Sequence, residues 1–228
     1  MERFAQYRTM GEYSEALQWP ARRWARDNPQ PIYNAHLGMR VMVMHQLGEL
    51  DRQYVDFLPW GYRPGWAAGR ANMPIVINAY SLTVPTRRYY SKLWEYGRRC
   101  LVPLDGWFEW VKGAPHYIYR ADGAPLFAAA LTSVDPADLY RPAGVVILTR
   151  DDEGGVLDPA DRRPLILEPV DAKRWIDRYA ESRNCREALS LSLQADLLYH
   201  RAPDHVRDIS SNGPELIRPR RDLCAAKG

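Results

Sequence analysis

An α+β protein is what this sequence predicts: a barrel-like, mostly antiparallel β core surrounded by helices, in one domain over residues 1–228. Three observations carry that expectation. Short runs rich in β-branched and aromatic residues recur along most of the chain, each closed off by Gly, Pro or Asp. Ala121-Asp122-Gly123-Ala124 lies between two such runs as a hairpin turn signal. Helical periodicity gathers late, after Pro169.

In chain order, Met1-Glu2-Arg3-Phe4-Ala5-Gln6 carries no helix-start signal and leads into a short amphipathic helix over residues 11–19. Pro20 interrupts it, since proline lacks the amide hydrogen that a helix needs, and a second turn is expected at Arg22-Arg23-Trp24-Ala25. Residues 32–36 and 39–45 read as extended, with Gly48-Glu49 as a hairpin turn into a partner strand at 54–58. Trp60-Gly61-Tyr62-Arg63-Pro64-Gly65-Trp66 holds too much Gly and Pro for regular structure, and its rings are expected to be exposed on a loop. Residues 75–80 form a β run ending in polar groups, and a short helix is expected at 90–97. Residues 117–120 and 125–128 are the arms of the predicted hairpin. Apolar strands at 145–149 and 164–167 flank a loop that ends in Asp161-Arg162-Arg163. Helices are predicted from Pro169 through Tyr179 and from Cys185 to Tyr199, and residues 212–217 as an edge strand.

With 46% apolar and 26% charged residues among 228, the chain can bury a sizeable core. A net charge of +3 is too mild for a global field, so any polyanion site must come from local clusters of Arg. Three cysteines and no secretory leader point to a reduced, cytoplasmic protein without a disulfide framework. No run approaches membrane-spanning length. The five His and three Cys have no ligand spacing, and Gly154-Gly155 lacks the Lys that a phosphate loop needs, so no metal and no cofactor are expected.

Arg98-Arg99-Cys100-Leu101-Val102-Pro103-Leu104-Asp105-Gly106-Trp107-Phe108-Glu109-Trp110 begins as an apolar β run and bends at Asp105-Gly106. It then sets Glu109 among three rings. Such a carboxylate is either turned to water or held in a poorly solvated pocket, where it can act as an acid or base near neutral pH. Elsewhere Arg and aromatic residues alternate, as in Arg87-Arg88-Tyr89-Tyr90 and around Arg63 and Trp66. Rings that stack on bases beside cations that track phosphates would suit single-stranded nucleic acid; a solvated basic face over core aromatics is the competing reading.

These motifs give the chain a resemblance to the SRAP family, SOS-response-associated peptidase-like proteins that cross-link to abasic sites in single-stranded DNA. The resemblance runs through Arg3-Phe4-Ala5-Gln6, Tyr33-Asn34-Ala35, Trp60-Gly61-Tyr62, Gly65-Trp66, Ile77-Asn78-Ala79, Asp105-Gly106-Trp107-Phe108-Glu109-Trp110 and Asp161-Arg162-Arg163-Pro164. It implies the SRAP fold, single-stranded DNA as the partner, with or without abasic sites, and no role for a membrane. In the family an N-terminal Cys captures the abasic aldehyde with its amine and thiol, closing a thiazolidine, while an Asn, a Glu and a His position the sugar and move protons. The resemblance assigns the first two of these to Asn78 and Glu109. Arg3, Asn34, Trp66, Arg87, Arg88 and Arg162 are the expected DNA contacts.

The departures bear on mechanism. Family members begin Met-Cys-Gly-Arg-Phe, whereas this chain begins Met1-Glu2-Arg3-Phe4. The family His falls at Ala160, and Asn78-Ala79-Tyr80-Ser81-Leu82-Thr83 lacks the usual Arg and Glu. Glu2 is too bulky for removal of the initiator Met, so Met1 is expected to stay, its amine in the register of the family's Cys amine and a thioether in place of the thiol. An α-amine ordinarily titrates at about 7.7–8.0, so a useful fraction is nucleophilic at neutral pH. Three functions follow as alternatives: a DNA-binding relative that cannot form the thiazolidine, an abasic-site lyase or peptidase using Met1 and Glu109, or a scaffold of the kind that phage and prophage genomes carry. His36 is a candidate replacement proton carrier, with a structural role as its alternative, and His200 reads as structural.

Overall fold

The protein is described by a computed structural model over residues 1–19, 30–48, 53–138, 143–151, 162–180, 182–190 and 196–219. In chain order the strands are β1 (Arg3–Gln6), β2 (Ile32–Ala35), β3 (Arg40–His45), β4 (Tyr54–Pro59), β5 (Asn78–Tyr80), β6 (Arg99–Leu104) and β7 (Gly106–Val111). Then follow β8 (Ala114–Arg120), β9 (Leu126–Thr132), β10 (Val145–Asp151), β11 (Arg162–Pro164), β12 (Ile166–Leu167) and β13 (Leu197–Arg201). The helices are α1 (Met10–Ala16), α2 (Ser91–Glu95), α3 (Pro169–Ile176) and α4 (Ser182–Ala188).

Two sheets result. The smaller runs β13-β8-β7-β1-β2, and the larger runs β11-β10-β9-β6-β3-β4, with β12 added to β9 and β5 to β10. The pairings are antiparallel except β5 with β10. The mostly antiparallel α+β class therefore holds. The barrel does not close: the β core is two open sheets.

Apolar clusters order the layers. One gathers Leu101, Ala129 and Leu131 of the larger sheet with Tyr13, Leu17 and Trp175 from the helical side. A second lies between the sheets and joins Phe4, Trp107 and Ile118 to Val102, Ala128 and Ile147. A third covers the outer face of the smaller sheet with Ala5, Phe108, Tyr117, Val206 and Leu216. The larger sheet is thus covered on both faces, which is why β6 and β9 are buried at every position and, apart from Arg99 and Thr132 at their ends, read as continuous apolar runs rather than alternating ones.

The chain passes between sheets at Asp105-Gly106, where β6 ends and β7 begins. A Cβ at Gly106 would meet the Ile118 carbonyl at 2.4 Å and the Tyr117 ring at 2.5 Å, so only glycine fits the corner. Asp105 fixes it: Oδ2 accepts from Tyr7 N (2.7 Å) and the Tyr13 hydroxyl (2.6 Å), and Oδ1 lies 3.3 Å from Arg8 Nη1. Gln6 makes the second tie across the sheets. Its Nε2 donates to the Met42 and Pro103 carbonyls (3.2 and 2.6 Å), and its Oε1 accepts from Met42 N (2.7 Å).

Several expectations need correction. α1 starts one residue early, at Met10, because Thr9 and Glu12 form a reciprocal capping box. The helix ends at Ala16, short of Trp19. Pro20, the turn at 22–25, Glu49 of the turn after β3 and most of the loop before Arg162 lie outside the described residues. The predicted hairpin at 121–124 is not one: β8 belongs to the smaller sheet and β9 to the larger. β8 already has both edges filled, by β13 and by β7 through a tight turn at Lys112-Gly113 (φ +48° and +79°). The chain after Gly123 therefore crosses to the other sheet. Residues 197–199, expected in a helix, open the edge strand β13, and Pro214–Ile217 is a 3-10 turn rather than a strand. Trp60 and Tyr62 are buried: Phe4 meets Trp60 edge-on at 4.7 Å, and Trp60 Nε1 donates to the Ile77 carbonyl. Trp66 alone of those rings stays half-exposed.

Candidate active site

The residues that position Met1 come from both sheets. β1 runs antiparallel to β7, with Arg3 opposite Phe108 and Phe4 opposite Trp107, which brings the residues before Arg3 alongside Glu109. The Met1 amine lies 3.2 Å from Glu109 Oε1. Asn78, at the start of β5 in the larger sheet, donates from Nδ2 to the Met1 carbonyl. The Met1 side chain is buried in the cluster between the sheets, together with Phe4, Trp60 and Trp107. Met1, Asn78 and Glu109 thus meet in one place, where an amine, a carboxylate and a carboxamide face one another beside an apolar wall.

Polarity in this pocket is sparingly matched. Glu109 has a side-chain exposure of 14%, between the open and buried readings of its sequence context. Asn78 Oδ1 and Trp107 Nε1 are buried without a hydrogen-bond partner among the described residues. Buried polar atoms of this kind are normally satisfied, so they mark room for a polar ligand or water.

Strand register adds a residue that the sequence reading passed over. In the β7–β8 ladder Glu109 stands directly opposite His116, and in the β8–β13 ladder His116 stands opposite Arg201. Directly opposed residues project on the same face of a sheet, with Cβ atoms about 4.5–5.5 Å apart. His116 Nδ1 is 3.0 Å from the Ala114 carbonyl, which can only accept, so Nδ1 is the donor and Nε2 is the ring atom left to exchange a proton. The signal was present in the sequence as a His two residues before Ile118, hence on the same strand face, but it had no meaning until the pairing with Glu109 was fixed.

The expected DNA contacts fall into separate groups. Trp66 sits on a 3-10 turn (Gly65–Ala67) with the Arg88 guanidinium 4.8 Å and the Arg70 guanidinium 5.8 Å from its ring. With Arg63, Tyr89, Lys92 and Arg98 it lines a cavity of about 680 Å³. Arg87 is exposed nearby and caps the turn before α2 through its carbonyl. Arg162 lies over the Tyr80 ring at 4.3 Å, with Nε 3.8 Å from Asp151, and the Tyr80 hydroxyl donates to Asp151 Oδ2 (2.5 Å). Arg3 pairs with Phe108, whose side chain lies in the outer cluster, so it turns to the face away from Glu109, 3.5 Å from the Arg207 carbonyl.

Asn34 is a correction. It is only 1% exposed, and its Nδ2 donates to the carbonyls of Val206, Asp208 and Ser211 at 3.0–3.1 Å. It holds the C-terminal turns against β2 and offers DNA no surface. His36, half-buried with Nδ1 3.1 Å from the Leu37 carbonyl, follows the end of β2. His200 packs edge-on against Tyr119 and at a tilt against Tyr117 in the smaller sheet, and burial lowers its pKa. Ala160 and Asp161 lie outside the described residues. Burial pushes the Cys100 thiol well up and the Cys185 thiol up, which keeps both protonated and unreactive. Among the described residues no three His, Cys, Asp or Glu are grouped to hold a metal, and no helix is long and apolar enough to cross a membrane.

Comparison with known proteins places these features. The family model for SOS response associated peptidase (SRAP) matches residues 2–209. The abasic site processing protein YedK of Escherichia coli is 35% identical over 225 residues, covering 95% of this chain and 98% of its own. The abasic site processing protein YoaM of Bacillus subtilis is 23% identical over 82% of this chain and 85% of its own. Among solved structures, a phage-related protein of Bordetella bronchiseptica superposes with a TM-score of 0.71 at 33% identity, over 88% of this chain and 93% of that one. A protein of Bacteroides thetaiotaomicron shares the fold, with a TM-score of 0.79 at 18% identity over 96% of this chain and all of that one.

Proposed function

The chain belongs to the SRAP family, and from that premise we propose that it binds abasic sites in single-stranded DNA and holds the sugar aldehyde through a reversible imine on the Met1 amine. The observation that supports this reading is the Met1 amine 3.2 Å from Glu109 Oε1, with its carbonyl gripped by Asn78. An amine against a carboxylate at the edge of an apolar pocket has a partner that can take up its proton and return it.

The chemistry limits the product. The amine adds to the ring-opened aldehyde to give a carbinolamine, which loses water to give an imine. A thiol on the same residue would close the imine to a thiazolidine. Met1 carries a thioether, which has no S–H to lose, so the adduct stops at the imine and stays hydrolysable. Removal of a proton from the carbon next to the imine would eliminate the 3′ phosphate, giving a weak lyase, with Glu109 as the base within reach. Peptidase action has less support, because both described thiols are buried and held protonated.

DNA is placed along the segment that carries Asn78. Before it, a bridge between Tyr62 and Val76 ties the Trp66 turn to that segment; after it, Tyr80 supports Arg162. Stacking on Trp66 and phosphate contacts from Arg87, Arg88 and Arg162 give affinity without base specificity, and that affinity falls steeply with salt. The test mixes the protein with an abasic oligonucleotide with and without borohydride. An adduct only in the reduced sample is expected; an adduct that survives heating without reductant contradicts the imine.

A further inference from the structure

We propose that His116 is the proton reservoir of this site: a positioning residue that acts through Glu109 by taking the proton the amine must lose and giving it back at dehydration. The inference rests on the Met1 imine reading and adds a residue that the family resemblance does not assign. Three observations carry it. His116 faces Glu109 directly across the β7–β8 ladder, so the two side chains share one face of the sheet. Its Nδ1 is committed to the Ala114 carbonyl at 3.0 Å, which fixes the tautomer and leaves Nε2 as the basic atom. Its surroundings are polar on both flanks, with Glu109 on β7 and Arg201 on β13, while the Tyr199 ring packs 6.1 Å from its own.

Proton movement in imine formation explains why a second group is needed. The ammonium paired with Glu109 must become an amine before it can attack, and the carbinolamine hydroxyl must be protonated before it leaves as water. A carboxylate alone is a poor store for that proton near neutral pH, whereas an imidazole exchanges it there. The cycle balances. The ammonium gives a proton through Glu109 to His116 Nε2. The amine bonds to the aldehyde carbon, and the amine hydrogen moves to the alkoxide. The imidazolium then returns its proton, water departs, and a protonated imine remains beside neutral His116. Arg201 is itself engaged, with Nη2 3.3 Å from Asp204, so it frames the imidazole and takes no proton.

His116→Asn and His116→Gln test this. Asn keeps a donor for the Ala114 carbonyl while removing the proton carrier, so a merely structural His116 would be replaced by Asn with little change. The measurement is the rate of borohydride-trapped adduct on an abasic oligonucleotide between about pH 5 and 9, alongside binding of the same oligonucleotide without trapping. Expected are unchanged binding, trapping slowed roughly 10- to 100-fold in both variants, a pH–rate profile that differs in shape from that of the wild type, and partial rescue by added imidazole. Wild-type trapping with both variants at the wild-type rate overturns the His116 role and leaves the Met1 reading standing. No trapping in the wild type overturns both.

Discussion

Asp105 and Glu109 lie four residues apart in one stretch, and both carboxylates are drawn away from water, yet the protein treats them differently. Asp105 is 5% exposed and held by the fold: Tyr7 N and the Tyr13 hydroxyl donate to Oδ2, the Arg8 guanidinium pairs with Oδ1, and none of these can leave without breaking the corner between the sheets. Glu109 keeps some exposure and pairs with a terminal amine, a group with chemistry of its own. A carboxylate held by donors that belong to the fold is structure. One held by a nucleophile is a candidate reagent.

The comparison breaks if either residue behaves like the other. Glu109→Gln keeps the shape but cannot accept the ammonium proton, so trapping on an abasic oligonucleotide should fall about 10²- to 10⁴-fold, with the melting temperature within a few degrees of wild type. Asp105→Ala strands the Tyr13 hydroxyl, the Tyr7 amide and the Arg8 charge. It should cost about 3–5 kcal/mol in denaturant unfolding, and the fraction that stays folded should still trap. Trp66→Ala should weaken single-stranded DNA binding by roughly 1–3 kcal/mol in a fluorescence titration, equally for all sequences.

The two carboxylates of the corner and the loop after β8 also differ in how pH acts on them. Burial, opposed by its hydrogen bonds, raises the Asp105 pKa. The unfolded chain then gives up that proton first, so the stability Asp105 contributes is present at low pH and is lost as pH rises through its folded value. Asp122 is the reverse: Arg120 and the Ala124 amide hold it at about 2, so its support is present above the usual 3.8 and is lost as pH falls toward 2. Arg120→Ala should return the Asp122 titration most of the way to its ordinary value, read by carboxyl NMR, with a small stability change from this pair because the Asp122 carboxylate is half exposed to solvent.

Much of the site was legible in the sequence because its parts are punctuated locally. Asp105-Gly106 marked the bend, Glu109 stood among rings, and Asn78 ended an apolar run. What escaped was whatever depends on partners far along the chain. The Asp-Gly at 122–123 looks like a hairpin turn, but strand pairing decided otherwise, because Lys112-Gly113 had already made the hairpin and β13 closed the other edge. Asn34 looked like a surface amide until Val206, Asp208 and Ser211 were seen to surround it. His116 was one of five scattered His until register set it beside Glu109.

The most direct measurement of the central claim is peptide mass spectrometry of the borohydride-reduced adduct with an abasic oligonucleotide. The account predicts a single reduced linkage on the Met1 α-nitrogen and none without reductant. A linkage on a lysine, or one at the N-terminus that forms and persists without reduction, would contradict it.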